Sequence, residues 1–418
     1  MTKHLSRRAL LGSAAAAGAW AAAASIAARS PKPQDPMTAA DTSKPAPAAS
    51  RLVRLSANEN PYGPGPKARA AIAAAMPEAC RYSIDSYNRL IDQLAQRENV
   101  ERTSIVLGSG SGELLNMLAL EYVGRGELVT AWPTFEQITT YAERLGATVR
   151  RVPLDRQMRH DLTALGSTVS ANTGLLYVCN PNNPTGTVVA GETLREFCRS
   201  MANRTLVVVD EAYLDLIEPG ATESMVDLAR AGENVVVLRT FSKIHGLAGL
   251  RIGYGIGAAG VIKRLRRMQM AFANTLGMEA ALASLNDRQF LTDTAAALAQ
   301  DRARMLAACR GLGLECSDAQ GNFIFVNTGM PNDQFRERMR QQQIEVGRTF
   351  EPYATWCRVT VGTTQETDRF LAALPRVAAG RRGGHNRPFS QSSRPHHSVA
   401  RQRFPICRVF CSRYWSCC

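Results

Sequence analysis

Short apolar runs alternate with amphipathic segments between residues 100 and 260 of the chain. Five runs are rich in β-branched and other apolar residues, and they lie at 104–107, 127–130, 174–178, 206–209 and 235–238. A strand that is covered on one face alternates apolar and polar residues, whereas continuous apolar runs indicate strands covered on both faces. The pattern therefore predicts an α/β fold with a doubly wound, mostly parallel sheet between helices.

Polar motifs directly follow several of these runs, at the place where ligands bind in such sheets. The first run leads into the glycine-rich turn Gly108-Ser-Gly-Ser-Gly-Glu113 and then a helical segment, an arrangement that suits a phosphate, although a plain loop is an open alternative. Later runs lead into N-P-N-N-P-T-G from Asn180, D-E-A-Y from Asp210 and R-T-F-S-K from Arg239.

The order and spacing of these motifs resemble those of fold-type I aminotransferases, which depend on pyridoxal phosphate (PLP). The segment from Arg239, with G-L-A-G-L-R-I-G-Y after it, is similar to the histidinol-phosphate branch, as are Asn58-Glu-Asn-Pro-Tyr-Gly63 and Arg358-Val-Thr-Val-Gly-Thr363. The resemblance covers residues 51–378. It implies an N-terminal arm at 51–75, a large PLP-binding domain at 76–294 and a smaller α+β domain at 295–378.

The resemblance implies catalytic roles for Lys243, Asp210 and Tyr213, and a cofactor-binding role for Asn183. Lys243 would hold the cofactor covalently and carry a proton to and from the substrate, since burial and a nearby cation make a lysine nucleophilic and basic. Asp210 would pair with the protonated pyridine nitrogen, which the cofactor needs in order to delocalise a carbanion. Asn183 and Tyr213 would hydrogen-bond the phenolic oxygen of the cofactor.

Further cofactor-binding residues follow from the same resemblance. Ser242, Arg251 and the backbone amides of Ser111 and Gly112 would bind the cofactor phosphate, for which the arginine fork is well suited. Phe135 would stack on the cofactor ring, although a core phenylalanine is the alternative interpretation.

Tyr82 corresponds to a family tyrosine that reaches the cofactor phosphate of a neighbouring subunit, and it therefore implies a homodimer. The family usually has proline after this tyrosine, whereas Ser83 follows here. Substrate binding would fall to Arg358 with Tyr62 and Arg348, and a solvent-facing charge is the alternative for Arg348.

The expected reaction is ping-pong transfer of an amino group between histidinol phosphate and the pair of 2-oxoglutarate and glutamate. Two enzyme alternatives remain: transamination of another amino acid, such as an aromatic one, and decarboxylation of the kind performed by threonine-phosphate decarboxylases. A cofactor-binding regulator or an inactive copy is disfavoured, because Lys243 and its partners are present and residues 1–50 leave no room for a helix-turn-helix domain.

The formal net charge of +14 is concentrated at the two ends of the chain. Residues 380–418 hold eight arginines without Asp, Glu or Lys, and residues 1–50 hold six Lys or Arg against two Asp. The central body is therefore nearly neutral, and its charge predicts no nucleic-acid partner.

The N-terminus combines Ser6-Arg7-Arg8 with an alanine-dominated stretch up to Ala28. It resembles a twin-arginine export signal at 1–28 followed by a Pro- and Ala-rich linker at 29–50, and it predicts a periplasmic or exported protein. After cleavage of the signal we expect no stable membrane partner. An uncleaved membrane anchor, or a cytoplasmic protein, is the alternative.

Residues 379–418 form a basic tail without helical or strand periodicity, and we expect it to be disordered. Its composition also fits an altered reading frame near the end of the gene. Four of the ten cysteines lie here, and with His396 and His397 they match no zinc-ligand spacing, so no metal site is expected. The other six cysteines are scattered through apolar segments and are expected to be buried as small hydrophobic residues.

Overall fold

The computed structural model describes residues 52–379. The predicted export signal, the linker and the tail from residue 380 onwards lie outside the described residues. Within the described range, none of the helices combines the length and apolar character needed to cross a membrane.

Eleven β-strands are present in the described part of the chain, several of them at the predicted apolar runs. They are β1 (Val53–Leu55), β2 (Ile105–Gly108), β3 (Glu127–Trp132), β4 (Val149–Pro153), β5 (Thr173–Cys179), β6 (Leu206–Asp210), β7 (Val235–Thr240), β8 (Gly253–Gly257), β9 (Phe323–Asn327), β10 (Ile344–Val346) and β11 (Trp356–Thr360).

Twelve α-helices accompany these strands between residues 52 and 379. They are α1 (Pro66–Ala75), α2 (Ile84–Glu98), α3 (Ser111–Tyr122), α4 (Gln137–Arg144), α5 (Leu162–Thr168), α6 (Gly191–Ala202), α7 (Val226–Arg230), α8 (Ala259–Arg266), α9 (Thr275–Leu285), α10 (Arg288–Gly311), α11 (Asn332–Gln341) and α12 (Thr364–Ala378). Short 3-10 helices lie at Met76–Cys80, Arg102–Ser104, Val123–Arg125, Leu214–Leu216 and Ala248–Leu250.

The main sheet has seven strands in the order β2-β8-β7-β6-β5-β3-β4. Six strands are parallel to one another, and β8 is antiparallel to both of its neighbours. The five apolar runs correspond to β2, β3, β5, β6 and β7, so the predicted α/β fold with a mostly parallel sheet is confirmed.

Alternate residues of the central strands belong to different hydrophobic clusters. Val207 and Val209 of β6 pack in one cluster, whereas Leu206 and Val208 pack in another. Both faces of the sheet are therefore covered, which is the physical reason for the continuous apolar runs.

A further hydrophobic cluster forms around two small sheets, β1 with β10 and β9 with β11. It contains Val53 and Leu55 from the arm together with residues from α10 to α12. This is the core expected for a smaller α+β unit joined by the arm. The predicted boundary at 294/295 falls inside α10, which runs without interruption through it.

Candidate active site

The predicted catalytic residues lie at the carboxyl ends of three neighbouring strands. Asn183 follows β5, Asp210 is the last residue of β6, and Lys243 follows β7. Since β5, β6 and β7 are adjacent and parallel, their carboxyl ends meet at one edge of the sheet. The fold thus places these residues where a doubly wound sheet binds its ligand.

Asp210 is buried and only 2% exposed, and two groups donate hydrogen bonds to its carboxylate. The Tyr177 hydroxyl donates to Oδ2 at 3.0 Å, and the Ala212 amide donates to Oδ1 at 3.1 Å. Burial raises the pKa of Asp210 to about 6, against the opposing effect of these hydrogen bonds and of Lys243. A cation beside this carboxylate would relieve the desolvation that raises its pKa.

Lys243 is held between the arm and Tyr213. Its Nζ donates to the backbone oxygen of Asn58 at 3.1 Å and lies 5.3 Å from the centre of the Tyr213 ring. The ammonium group is therefore positioned by groups from the arm and from the β6 strand end, in the same site as Asp210.

A chain of hydrogen bonds connects Tyr213 to Arg358. The Tyr213 hydroxyl oxygen accepts from Asn58 Nδ2 at 3.1 Å and from Asn183 Nδ2 at 3.2 Å. Arg358 Nη1 donates to Asn183 Oδ1 at 2.6 Å, and its Nη2 donates to the backbone oxygen of Ser56 at 2.7 Å. Burial raises the pKa of Tyr213, so this hydroxyl keeps its proton and can donate it to a ligand oxygen.

The predicted phosphate-binding residues also come together. Gly110 has a φ of 76° and directly precedes α3, whose first turn contains Ser111 and Gly112. Arg251 lies across this turn: its Nη1 donates to Ser242 Oγ at 3.3 Å and its Nη2 to Ser109 O at 3.4 Å.

A side chain at position 110 would overlap the Arg251 guanidinium, so the turn requires glycine both for its φ and for this close approach. First-turn amides lack carbonyl partners within the helix, and with an arginine beside them they form an anion site.

Two arginines form a second cationic region around Phe350. Arg358 is 7% exposed, its guanidinium lies 5.0 Å from the Phe350 ring centre, and its buried Nε has no hydrogen-bond partner in the described structure. Arg348 is half exposed, lies 4.2 Å from the same ring centre and pairs with Glu136 at 2.6 Å. Burial, with Arg348 adding to it, lowers the pKa of Arg358 to about 10. An anionic ligand beside Arg358 would offset both the burial of its charge and the repulsion from Arg348.

The three aromatic residues that were predicted to bind cofactor or substrate differ in how deeply they are buried. Phe135 is partly buried and packs against the cluster that contains Tyr177, and Tyr62 is partly buried against the cluster that contains Tyr213. Tyr82 is 89% exposed, and its ring packs edge-on against Phe272 at 6.3 Å.

Asn58 is the site residue that the sequence reasoning missed. It is buried with a φ of 55°, and all of its polar groups are engaged. Besides Lys243 and Tyr213, it contacts Thr360, which accepts from its amide at 2.9 Å, and Asn322, which donates to its backbone oxygen at 3.1 Å. The sequence signal was the motif around Asn58, whose asparagine tolerates a left-handed backbone better than most residues do.

A family model described as "Aminotransferase class I and II" matches residues 50–374. A histidinol-phosphate aminotransferase of Moorella thermoacetica is 36% identical over 332 residues, which is 78% of this chain and 86% of that protein. An aromatic amino acid aminotransferase of Thermobifida fusca is 38% identical over 324 residues, which is 77% of this chain and 89% of that protein.

A crystal structure of histidinol-phosphate aminotransferase from Sinorhizobium meliloti, in complex with pyridoxal-5'-phosphate, aligns with a TM-score of 0.74 at 28% identity. The alignment covers 79% of this chain and 91% of that one.

The described residues fit PLP as a cofactor. The site offers a buried carboxylate at Asp210 for a ring nitrogen, an amine at Lys243, an amide and a hydroxyl at Asn183 and Tyr213, and the anion site at Arg251 for a phosphate. The family match extends over most of the chain, and the relatives exceed 30% identity over more than two thirds of it. The chain therefore belongs to the class I and II aminotransferases, and it is a PLP-dependent enzyme that acts on small amino and oxo compounds.

Proposed function

We propose that the enzyme exchanges an amino group between histidinol phosphate and the pair of 2-oxoglutarate and glutamate. The observation that carries this proposal is the pair of arginines around Phe350, in which the buried Arg358 has an unpaired Nε and the more exposed Arg348 lies close by. Histidinol phosphate has a phosphate and no carboxylate, whereas glutamate has carboxylates only. One cationic region that accepts either anion would serve both half-reactions.

PLP, when bound, takes up the electron pair that remains when the substrate loses its Cα proton. The chain supplies the rest: Lys243 Nζ, held by Asn58 O, takes this proton and returns it. Asp210 would hold a proton on the ring nitrogen of the cofactor. The hydroxyl of Tyr213 and the amide of Asn183 orient the cofactor by its phenolic oxygen, and Arg251 with the first turn of α3 would hold its phosphate.

Transamination of an aromatic amino acid is the second candidate. The Arg358 guanidinium lies 5.9 Å from the Phe323 ring centre and 5.0 Å from that of Phe350, so a bound carboxylate would have aromatic surface beside it. This surface could pack an aromatic substrate side chain. The similarity to an aromatic amino acid aminotransferase supports this candidate as strongly as the similarity to histidinol-phosphate aminotransferases supports the first one.

A single-turnover screen of the purified holoenzyme separates these substrates. We expect histidinol phosphate to convert the bound cofactor to its amine form, seen as loss of its visible absorbance, and 2-oxoglutarate to restore it. If phenylalanine converts the cofactor and histidinol phosphate does not, the proposed substrate is wrong and the aromatic candidate replaces it. Release of carbon dioxide from threonine phosphate, without conversion of the cofactor, would indicate a decarboxylase.

Arg358→Lys should lower kcat/KM in both half-reactions by roughly 10-fold or more, because the variant keeps the charge but loses a hydrogen bond to a charged group, which is worth about 1.5–3 kcal/mol. A lysine also lacks the planar fork that binds Asn183 and an anion together. Steady-state kinetics with each substrate measures the effect. The matched control is Arg336→Lys at an exposed ion pair with Asp333, which should leave kcat/KM unchanged. Equal losses in the two variants would contradict the role of Arg358.

We also propose that the enzyme is a homodimer. An exposed patch of large apolar side chains supports this, and its members are Met76, Tyr82, Ile84, Met270 and Phe272. Its parts are connected by the contact between Tyr82 and Phe272 and by a hydrogen bond from Thr275 Oγ1 to Arg81 O at 3.1 Å. Grouped apolar side chains of this size are typical of protein interfaces.

The patch adjoins the anion site. The amides of Met270 and Ala271 donate to Glu113 Oε1 at 3.1 and 3.3 Å, and Glu113 lies in the first turn of α3. A second subunit on this patch would therefore lie beside the residues that would bind the cofactor phosphate.

Phe272→Asp should convert the dimer to monomers and weaken PLP retention, because it places a charge in an apolar interface next to the phosphate-binding residues. Sedimentation velocity and the absorbance of bound cofactor after dialysis measure the two effects. Leu145→Asp, at a comparably exposed leucine outside the patch, is the control and should change neither. A wild-type protein that sediments as a monomer would refute the proposal.

A further inference from the structure

One ion pair reaches from the large-sheet side of the candidate active site to the smaller core. Arg348 Nη2 donates to Glu136 Oε2 at 2.6 Å. Glu136 directly follows Phe135, which packs against a cluster of the main sheet, and it directly precedes α4. Arg348 follows β10, which belongs to the smaller core. The carboxylate of Glu136 therefore occupies one of the two arginines that are proposed to bind substrate.

The carboxylate of Glu136 does not serve its own helix. Glu136 is the N-cap residue of α4, yet its side chain makes no capping hydrogen bond. Its backbone oxygen accepts from Thr139 Oγ1 and from the Thr140 amide, both at 2.9 Å. Ser, Thr, Asp and Asn are the residues that cap helices well, so capping does not explain a glutamate at this position. Its carboxylate is instead directed at Arg348.

Arg348 is attached to the strand that carries Arg358. The Gly347 amide donates to Arg358 O at 2.9 Å, and a side chain at position 347 would overlap this oxygen. The two guanidinium groups lie 4.2 and 5.0 Å from the ring centre of Phe350. Burial lowers the pKa of Arg358, Arg348 adds to this shift, and Glu136 is among the charges that oppose it. A ligand anion at Arg358 is therefore close to Arg348 and to the carboxylate that pairs with it.

We propose that Glu136 sets the preference between substrates that bring one negative charge to the two arginines and substrates that bring two. A single carboxylate needs only Arg358, whose buried Nε has no partner in the described structure, and the pair of Arg348 and Glu136 stays intact. A phosphate carries a charge of about −1.5 to −2 at neutral pH and is better balanced by two arginines, so it displaces Glu136 from Arg348. A dicarboxylate does the same with its second carboxylate. The inference rests on the proposed role of the two arginines in substrate binding.

The displacement is inexpensive, so Glu136 weakens the binding of such substrates without preventing it. The side chains of Arg348 and Glu136 are 48% and 29% exposed. An ion pair that is partly open to water changes an equilibrium constant by roughly two- to five-fold. A ligand that displaces Glu136 loses about this factor in affinity, whereas a ligand that leaves the pair intact does not. Glu136 thus shifts the preference towards substrates with one carboxylate and an uncharged side chain.

The test compares two ligands that contain no amino group and therefore cannot be transaminated. Glutarate has two carboxylates, whereas hydrocinnamate has one carboxylate and an aromatic ring at its other end. Calorimetric titration of the wild-type holoenzyme and of Glu136→Gln with each ligand gives the dissociation constants. We expect Glu136→Gln to bind glutarate roughly two- to five-fold more tightly than the wild type does, and hydrocinnamate equally tightly.

Two further variants test whether the effect runs through the arginine. Glu143→Gln is the matched control, because it removes a carboxylate from the last turn of α4 that pairs with Arg151 at 2.7 Å. It should leave both dissociation constants unchanged. In an Arg348→Gln background, adding Glu136→Gln should give little gain in glutarate affinity, because no guanidinium is released.

The outcomes separate this inference from the proposed substrate. If histidinol phosphate fails to convert the cofactor of the wild type, the proposed substrate is wrong, but the two ligands still test Glu136. If it is converted, its KM should fall in Glu136→Gln by about the same factor as the dissociation constant of glutarate.

An ion pair that only holds the two cores together would instead alter the melting temperature of Glu136→Gln and leave the preference between the ligands unchanged. The proposal would be overturned by this result, by weaker or undetectable glutarate binding in Glu136→Gln, by equal gains for both ligands, or by a full gain without Arg348.

Discussion

Lys243→Ala should lower kcat by at least about 10²–10⁴-fold, because a positioned acid–base group contributes about that factor and the variant also loses the covalent hold on the cofactor. The geometry supports a direct effect on catalysis, since Lys243 Nζ lies in the site, where it contacts Asn58 O and the Tyr213 ring. Single-turnover absorbance measurements with the amino donor follow the loss.

Lys263→Ala provides the control for this variant, because Lys263 is exposed on α8. It should retain wild-type activity. Borohydride reduction of the holoenzyme, followed by peptide mapping, should attach the cofactor to the peptide that contains Lys243 in wild type and in Lys263→Ala. Labelling of another lysine, or full activity of Lys243→Ala, would refute the central assignment.

Asp210→Asn should lower kcat by roughly 10²–10⁴-fold, because breaking a buried ion pair costs about 3–5 kcal/mol. The amide keeps the shape of the side chain and loses the charge that would hold a proton on the ring nitrogen. Tyr177→Phe is a milder variant for comparison. It removes only the 3.0 Å hydrogen bond to Asp210 Oδ2 and should lower kcat by roughly 3–10-fold. An equal loss in both variants would contradict a role for the charge itself.

The same substitution should have the opposite effect on the stability of protein freed of cofactor. Burial raises the pKa of Asp210 from 3.8 to about 6, so the folded protein binds a proton more tightly than the unfolded chain does. The stability of the wild type should therefore fall as pH rises from about 3.8 to about 6 and stay reduced above that. Asp210→Asn lacks this decline, and thermal unfolding at several pH values should show the variant equal to or above wild type at pH above about 6.

The strands that the sequence predicted share one physical property, burial on both faces. β4 was missed because it lies at the edge of the sheet, and its arginines at 150 and 151 are exposed. β8 was missed because three of its five residues are glycines, which carry no side-chain pattern, although its backbone is buried between β2 and β7. An apolar pattern thus indicates a strand only where side chains, rather than backbone alone, make the contacts.

The same limit applies to the site. Residues at strand ends could be predicted, since local sequence determines where a strand ends and the sheet brings the ends together. The contacts of Asn58 could not, because its partner Thr360 is 302 positions away in the chain. The ion pair between Arg348 and Glu136 joins residues 212 positions apart and has no local signal either. Such pairings arise only when segments that are distant in the chain pack together.

The position of Asn58 has a consequence for the order of folding. Its polar groups bond to Lys243, which follows β7 of the large sheet, and to Tyr213, Asn322 and Thr360, which lie in or beside the smaller core. Although Asn58 is among the first of the described residues to be synthesised, it cannot find these partners until residue 360 has been made and both cores have formed. We therefore expect the catalytic centre to be completed late in folding, and tight capture of the cofactor to report that both cores have formed.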